Sequence, residues 1–488
     1  MISVLRVNRC KNRKSGMMKK TKIVCSIGPA SCSVDTMTQM VNVGMNVARI
    51  NFSHATLEEK QDVVETVKKV REITKKHIAI LYDTKGPEFR NGMMEDDGVK
   101  LVEGNTIRIV KEEVLGNSER FSVNHPKALD SLSKGSIVLL ENGLMKIEVI
   151  SKESDGVTCR IINGGILGNK KSLNVPGVHL DIPFISADDL EDIKYACHHD
   201  GNFLALSFVS TKEDVEEVRQ ILKKENNNSM KIISKIESTT GIKNLNDIIE
   251  VSDGIMVARG DLGVEVPMEQ LPIYQKMIIK KCREMGKICI VATEMLESMK
   301  KNVRPTRAEV SDVANAVLDG TDAIIIGNNS HNKRYPIELV NEIEKVIKSA
   351  EEDIDYAHFL KNAIATENED TTGNIACSVA EISDRLNCKA IVAPTVSGYT
   401  ARKMSRFKPK CPIIAISTDR ETMRSLAIYF GVCPIYIESL KSLDDIVKQA
   451  KKIAIDNIDI KEGDKIIITG GYPFKEVRHT NFIEIEEL

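Results

Sequence analysis

The sequence predicts an α/β protein with three parts: a (β/α)8 TIM barrel, a small β-barrel lid inserted after its third strand, and a C-terminal open-sheet α/β domain. Three observations carry this reading. Eight short apolar runs alternate with helical patterns. One long stretch of short alternating runs interrupts them. A second strand–helix series follows a polar linker.

The eight runs are KIVCSIG (22–28), MNVARINFS (45–53), IAILYDTKG (78–86), FLALSFVS (203–210), KIISKIE (231–237), GIMVARGD (254–261), ICIVATE (288–294) and AIIIGNN (323–329). Continuous apolar runs of this length suit parallel strands buried on both faces. Helical patterns lie between most of them, at 57–75, 212–225, 268–285 and 336–351. Thr306 followed by Glu309 is a capping-box pattern, and Gly320 suits the end of that helix. The count of eight favours a barrel over a doubly wound sheet.

The interruption runs from Gly86 to about Pro183. Its runs TIRIV (106–110), SIVLL (136–140), KIEVI (146–150) and VTCRII (157–162) are separated by Gly and Asn. This predicts a small β module over 89–181, inserted at the catalytic end of the barrel, where a lid belongs. A purely structural insert is the alternative. The barrel then occupies 18–88 and 182–354. The C-terminal domain, 355–488, has strands KAIVAPT, PIIAIS, PIYI and KIIITG between helices. Residues 1–17 carry Arg6, Arg9, Lys11, Arg13 and Lys14 without an acid, and are expected to be a disordered extension.

A chain of 488 residues is too long for one ordinary core. Lys and Arg total 68 against 70 Asp and Glu, a balance that argues against a nucleic-acid coat protein. Aromatics are only 4% and Trp is absent, so the core must be aliphatic. No apolar run reaches the ~18–20 residues of a membrane helix. The 11 cysteines are scattered, with no CxxC pair and no secretory signal, which predicts reduced thiols in a cytoplasmic protein.

Phosphate chemistry needs anchored cations, a metal held by carboxylates, and positive charge where negative charge shifts. The strand ends offer each. Lys235 and Glu237 are two apart on one strand and share a face; a plain salt bridge is the alternative. Asp261 lies in ARGDLG, and Gly260-Asp261-Leu262-Gly263 reads as a small loop that lets backbone approach a ligand. Glu237 and Asp261 offer two hard oxygen ligands for magnesium. Asn51, Ser53, Asp83 and Thr84 end two neighbouring strands and could cage potassium. Arg49 shares the face of Asn51 and Ser53, and can grip phosphate bidentately. Arg90 and His54 could meet a nucleotide. Satisfied strand-end turns are the alternative for these motifs, and plain helix capping for Thr306-Arg307-Ala308-Glu309.

In order along the chain stand KTKIVCSIGPAS (20–31), NVARINFSH (46–54), DTKGPEFR (83–90), SKIES (234–238), MVARGDLGVEVP (256–267), TEMLESM (293–299) and RPTRAEVSDVANAVLDGTDA (304–323). With these motifs the chain resembles the pyruvate kinase family from about Lys19 to Leu488. The resemblance implies phosphoryl transfer from phosphoenolpyruvate to ADP, giving pyruvate and ATP. It implies Mg2+ (or Mn2+) on Glu237 and Asp261, and K+ on Asn51, Ser53, Asp83 and Thr84. Lys235 would stabilise the transferring group, Arg49, Gly260 and Asp261 would hold substrate, and Thr293 would lie by the enolpyruvate. Asn51, His54, Arg90 and Lys194 would serve the nucleotide. Glu88 matches the acid of potassium-dependent members. A homotetramer is implied too.

Three departures stand out. The family's Ser-Gly-Glu-Thr after the eighth strand is replaced by Gly327-Asn328-Asn329-Ser330. Glu294 stands where Gln is usual, which is expected to add an acid to an anion pocket. Ser238 and Ala55 are milder changes. The altered run at 327–330 leaves a catalytically weakened or regulatory paralogue as a competing reading; a magnesium-enolate aldolase or lyase would share the metal carboxylate pair, but the β insert and Arg90 count against it. In the C-terminal domain, Thr395, Ser397 and Thr400 surround a helix start able to cup phosphate, unless Ser397 or Thr400 merely caps the helix. The loop resembles the family's effector loop, with Gly470-Gly471-Tyr472-Pro473, Lys475 and Arg478 closing over a sugar phosphate.

Overall fold

The computed structural model describes residues 18–53, 55–327, 335–366, 370–440, 442–473 and 480–488. Eight parallel strands close into a barrel: Lys22–Ser26, Val47–Asn51, Ala79–Asp83, Phe203–Leu206, Lys231–Ile236, Gly254–Ala258, Ile288–Ala292 and Ala323–Ile326. Each falls within one of the eight apolar runs. Closure joins the first strand to the eighth, with Lys22 opposite Ala323 and Cys25 opposite Ile326.

Strand periodicity divides the side chains into two sets. Val24, Val47, Leu81, Ala205, Ile233 and Ile290 belong to one cluster. Ile23, Ala48, Ile80, Leu204, Ile232 and Val291 belong to another, together with the apolar faces of the surrounding helices. Burial on both sides is why these strands read as unbroken apolar runs. The helices begin where the sequence marks them. Thr56 with Glu59 and Thr306 with Glu309 form capping boxes on Leu57–Thr74 and Arg307–Leu318. Gly320 follows at φ 91°, a conformation that favours glycine.

The insert has its own core, including Ile107, Phe121, Val138, Ile147 and Cys159. Its six-stranded sheet runs in the order Leu173–Asn174, Ile137–Leu140, Met145–Glu153, Gly156–Asn163, Thr106–Val110, Arg120–Ser122. The two segments joining it to the barrel pair with each other. Arg90 bridges Ser172, and the Leu173 N–H donates to the Phe89 carbonyl at 2.8 Å.

The C-terminal sheet has five strands, ordered Val432–Tyr436, Ile413–Ser417, Ala390–Pro394, Lys465–Gly470, Phe482–Glu487. The first four are parallel and match the sequence reading. The fifth was not foreseen. It runs antiparallel at the edge, with Gly470 opposite Phe482. Among the described residues no helix is long and apolar enough to cross a membrane. Residues 1–17, and the linker positions 367–369, lie outside the described residues.

Candidate active site

The carboxyl ends of the barrel strands open into one cleft. Arg49, Asn51, Ser53, Asp83, Thr84, Lys235, Glu237, Asp261 and Thr293 all line it. Asp83 ends the third strand, fully buried. Arg49 grips its Oδ2 through Nε at 2.7 Å and Nη2 at 2.6 Å, and gives Nη1 to Ser26 Oγ. Lys235 Nζ sits 3.2 Å from Asp83 Oδ1 and 3.0 Å from Glu237 Oε1. It also donates to Ser207 Oγ at 2.7 Å. Ser207 spends its own proton on the Thr84 carbonyl at 2.6 Å. Glu237 Oε2 accepts the Phe208 N–H at 2.6 Å.

The electrostatics follow from burial. Desolvation works to strip the proton from Lys235, but Asp83, Glu237 and Asp261 outweigh it and hold the ammonium above the ordinary lysine range. Burial pushes the Asp83 carboxyl up, yet Lys235 and then Arg49 prevail and hold it below the usual carboxylate range. Glu237 goes the other way. Burial pushes it up to about 7; Lys235 opposes the rise and Asp261 adds to it. A buried carboxylate beside a second one, only partly neutralised, fits a divalent cation. Among the described residues no group of three or more His, Cys, Asp or Glu is gathered for a metal. Two carboxylates would leave the other coordination positions to water and substrate oxygens. Asn51, Ser53, Asp83 and Thr84 line the same cleft and each carries an oxygen that could face a monovalent cation, with Asp83, their one formal charge, also held by Arg49 and Lys235.

Two expectations change. Gly260-Asp261-Leu262-Gly263 is not a loop but part of a short helix, Arg259–Glu265, with Asp261 in its first turn. The two glycines argued against a helix. Anchoring of the helix start prevails: the Gly260 N–H donates to Thr293 Oγ1 at 2.8 Å, and Arg259 is tied down on two sides. Glu294 is exposed and does not line the cleft, so it adds no acid to an anion pocket. Its backbone is in the left-handed region, at φ 57°. Ser238 caps the helix Thr239–Lys243, in line with a mild change.

The nucleotide residues are brought together less completely. Asn51 lines the cleft, and Arg90 stands at its edge, ion-paired at 2.8 Å with the lining residue Glu88. Lys194 is not gathered into the cleft; it pairs with Glu191 on the exposed face of Ala187–His198. His54 and the positions 328–330 lie outside the described residues. Ser207, Phe208 and Glu88 also line the cleft. The first two stand in FLALSFVS, where a serine at the end of an apolar run was the available signal.

In the C-terminal domain, Thr395 and Thr400 are buried and Ser397 half-buried. Neither Ser397 nor Thr400 caps the helix Tyr399–Arg406. Its N-cap is Gly398, at φ 75°, with no side-chain cap bond. Thr400 Oγ1 instead lies 2.9 Å from Thr480 Oγ1. Lys475 and Arg478 lie outside the described residues.

Residues 18–340 match the family model "Pyruvate kinase, barrel domain", and 373–486 match "Pyruvate kinase, alpha/beta domain". The chain belongs to the pyruvate kinase family. A pyruvate kinase of Geobacillus stearothermophilus is 41% identical over 471 residues, 96% of this chain and 80% of that protein. One from Staphylococcus aureus strain MRSA252 is 43% identical over 470 residues, with the same shares covered. The crystal structure of a pyruvate kinase from Cryptosporidium parvum superposes with a TM-score of 0.92 at 36% identity, covering 96% of both chains. The chain is a phosphotransferase of the pyruvate kinase type, acting between phosphoenolpyruvate and ADP. Nothing in these comparisons favours the lyase or regulatory-paralogue readings.

Proposed function

We propose that the cleft residues divide the pyruvate kinase reaction among themselves as follows. Arg49 and Lys235 hold the phosphoryl group between two fixed cations. A loose phosphoryl transfer asks for position and counter-charge rather than covalent chemistry. Lys235 stays protonated through the transfer, because three carboxylates favour its charge, and it steadies the charge on the enolate oxygen. Glu237 and Asp261 hold Mg2+ (or Mn2+), which when bound supplies positive charge to phosphoryl and enolate oxygens. Asn51, Ser53, Asp83 and Thr84 hold K+ beside the phosphoryl position. The Gly260 backbone and Asp261 orient the substrate, and Thr293 sits beside the carbon that is protonated. Asn51, Arg90 and His54 meet the nucleotide under the inserted lid of residues 89–181; Lys194 joins them if it exchanges Glu191 for a phosphate. The barrel comprises 18–88 and 182–354, and 355–488 is a regulatory domain whose Thr395, Ser397 and Thr400 take a sugar phosphate. The working form is a cytoplasmic homotetramer.

The observation that carries this reading is the Lys235 ammonium, 3.0–3.2 Å from two carboxylates, in the cleft that Arg49 and Asp261 also line. Pyruvate release by the purified protein with phosphoenolpyruvate, ADP, Mg2+ and K+ tests it. Turnover is expected from the wild type, and Lys235→Ala is expected to lose about 100-fold or more in kcat. A Lys235→Ala variant with near-native kcat would refute the assignment.

A further inference from the structure

Thr293 has a backbone φ of 69°, in the left-handed region where a β-branched residue is an outlier. Glu294 and Leu296 follow at φ 57° and 53°. A turn of three such residues persists only where its surroundings over-determine it. Arg259, 7% exposed, does this. Its Nη2 donates to the Thr293 carbonyl at 2.6 Å. Its Nη1 donates to both carboxylate oxygens of Asp312 at 2.7 Å. Asp312 lies on Arg307–Leu318, the helix that opens with the Thr306–Glu309 capping box. The same Glu309 also accepts from the Ser298 N–H and hydroxyl, tying down the far end of the turn.

We infer that Arg259 and Asp312 form a positioning clamp that holds Thr293 in this strained conformation and so aims its hydroxyl into the cleft. The clamp fixes the Thr293 carbonyl from behind. The hydroxyl is left at the front, where it accepts from the Gly260 N–H and donates to the Ala292 carbonyl at 2.6 Å. With the backbone pinned, a ligand that takes the Gly260 N–H frees the hydroxyl to rotate without moving the turn. Neither clamp residue lines the cleft, so both act through what they hold: the Thr293 carbonyl, and the start of the helix Arg259–Glu265, whose response the Mg2+ readout below separates from that of Thr293. The catalytic part of this inference rests on the proposed place of Thr293 beside the protonated carbon; the conformational part does not.

The test uses the full-length protein with Arg259→Lys and Asp312→Asn. Lysine keeps the charge but cannot fork between a carbonyl and a carboxylate. Both variants are expected to lose roughly 10- to 100-fold in kcat, as a small misplacement of a reacting group costs. The Mg2+ activation constant should stay within about threefold and the thermal midpoint within a few degrees. Exchange of pyruvate methyl protons with deuterated solvent should fall in step with kcat. Asp312→Glu should restore part of the loss. A crystal structure of Asp312→Asn, the milder change should Arg259→Lys not fold, should show residue 293 leaving positive φ. Retention of φ near 69° with unchanged kcat and exchange would overturn the clamp, as would a kcat loss matched by equal loss of Mg2+ activation and melting temperature. A wild type without turnover would refute the functional reading instead, and the conformation of residue 293 would still decide the clamp.

Discussion

At Glu237 two demands conflict. The side chain is 1% exposed, and burial raises its pKa to about 7, yet it shares the site with Asp261. A divalent cation resolves the conflict, so removing either carboxylate should remove the response to the metal rather than the fold. Glu237→Gln and Asp261→Ala are expected to lose magnesium-dependent turnover by roughly 100-fold or more while circular dichroism stays native. Near-normal turnover in either variant would show that the cation is held elsewhere. The oxygen set of Asn51, Ser53, Asp83 and Thr84 carries a related expectation: turnover should rise with K+ and be low in tetramethylammonium buffer, and full activity there would refute the potassium assignment. These residues were legible in the sequence because charges at the ends of apolar strands are costly without a purpose. Ser207 was not. Its place at the end of the apolar run FLALSFVS was the one signal, and a weak one, because a hydroxyl that finds hydrogen-bond partners is inexpensive to bury and the run does not say that it receives Lys235 and braces Thr84.

Among elements, the barrel strands and capped helices were readable because burial on both faces and capping boxes each leave a local signature. Arg259–Glu265 was not, since its start is fixed by contacts to Asp312 and Thr293, distant in sequence. The edge strand Phe482–Glu487 alternates in exposure, but it puts Ile483 and Ile485 on the exposed side and Glu484 and Glu486 on the half-buried one, so its pattern does not announce a strand with an apolar inner face. The helix Tyr399–Arg406 gives an element-scale prediction. Its first-turn N–H groups have no side-chain cap, and Gly398 puts no Cβ at the helix start. Sugar phosphates are expected to shift phosphoenolpyruvate saturation to lower concentration, and Thr395→Ala/Ser397→Ala should abolish the shift. If no sugar phosphate moves the wild-type curve, the loop is structural.

At the scale of the whole molecule, the barrel and the C-terminal domain share charged contacts. Asp200 of the barrel pairs with Arg71 on its own side and with Arg424 across the boundary. Buried Lys408 reaches Asp322 at 2.6 Å, and Lys22 donates to the Val432 carbonyl at 2.7 Å. Thr422, on the helix that carries Arg424, donates to the Val396 carbonyl, which joins the loop before the helix Tyr399–Arg406 to this boundary. His77 faces the same cluster. Burial first, then Arg420, Arg424 and Arg71, lower its pKa to about 4 from an ordinary 6.5. The sign follows from the linkage between protonation and folding. A histidine that resists protonation when folded contributes stability that is complete above about 6.5 and is lost progressively as the pH falls toward 4. The wild type should therefore melt at a lower temperature at pH 5 than at pH 7.5, and the boundary should loosen first. His77→Gln, which cannot take up the proton, is expected to flatten that dependence while leaving the melting temperature at pH 7.5 little changed. Thermal melts of both proteins across this range decide it, and parallel curves would show that the acid sensitivity arises elsewhere.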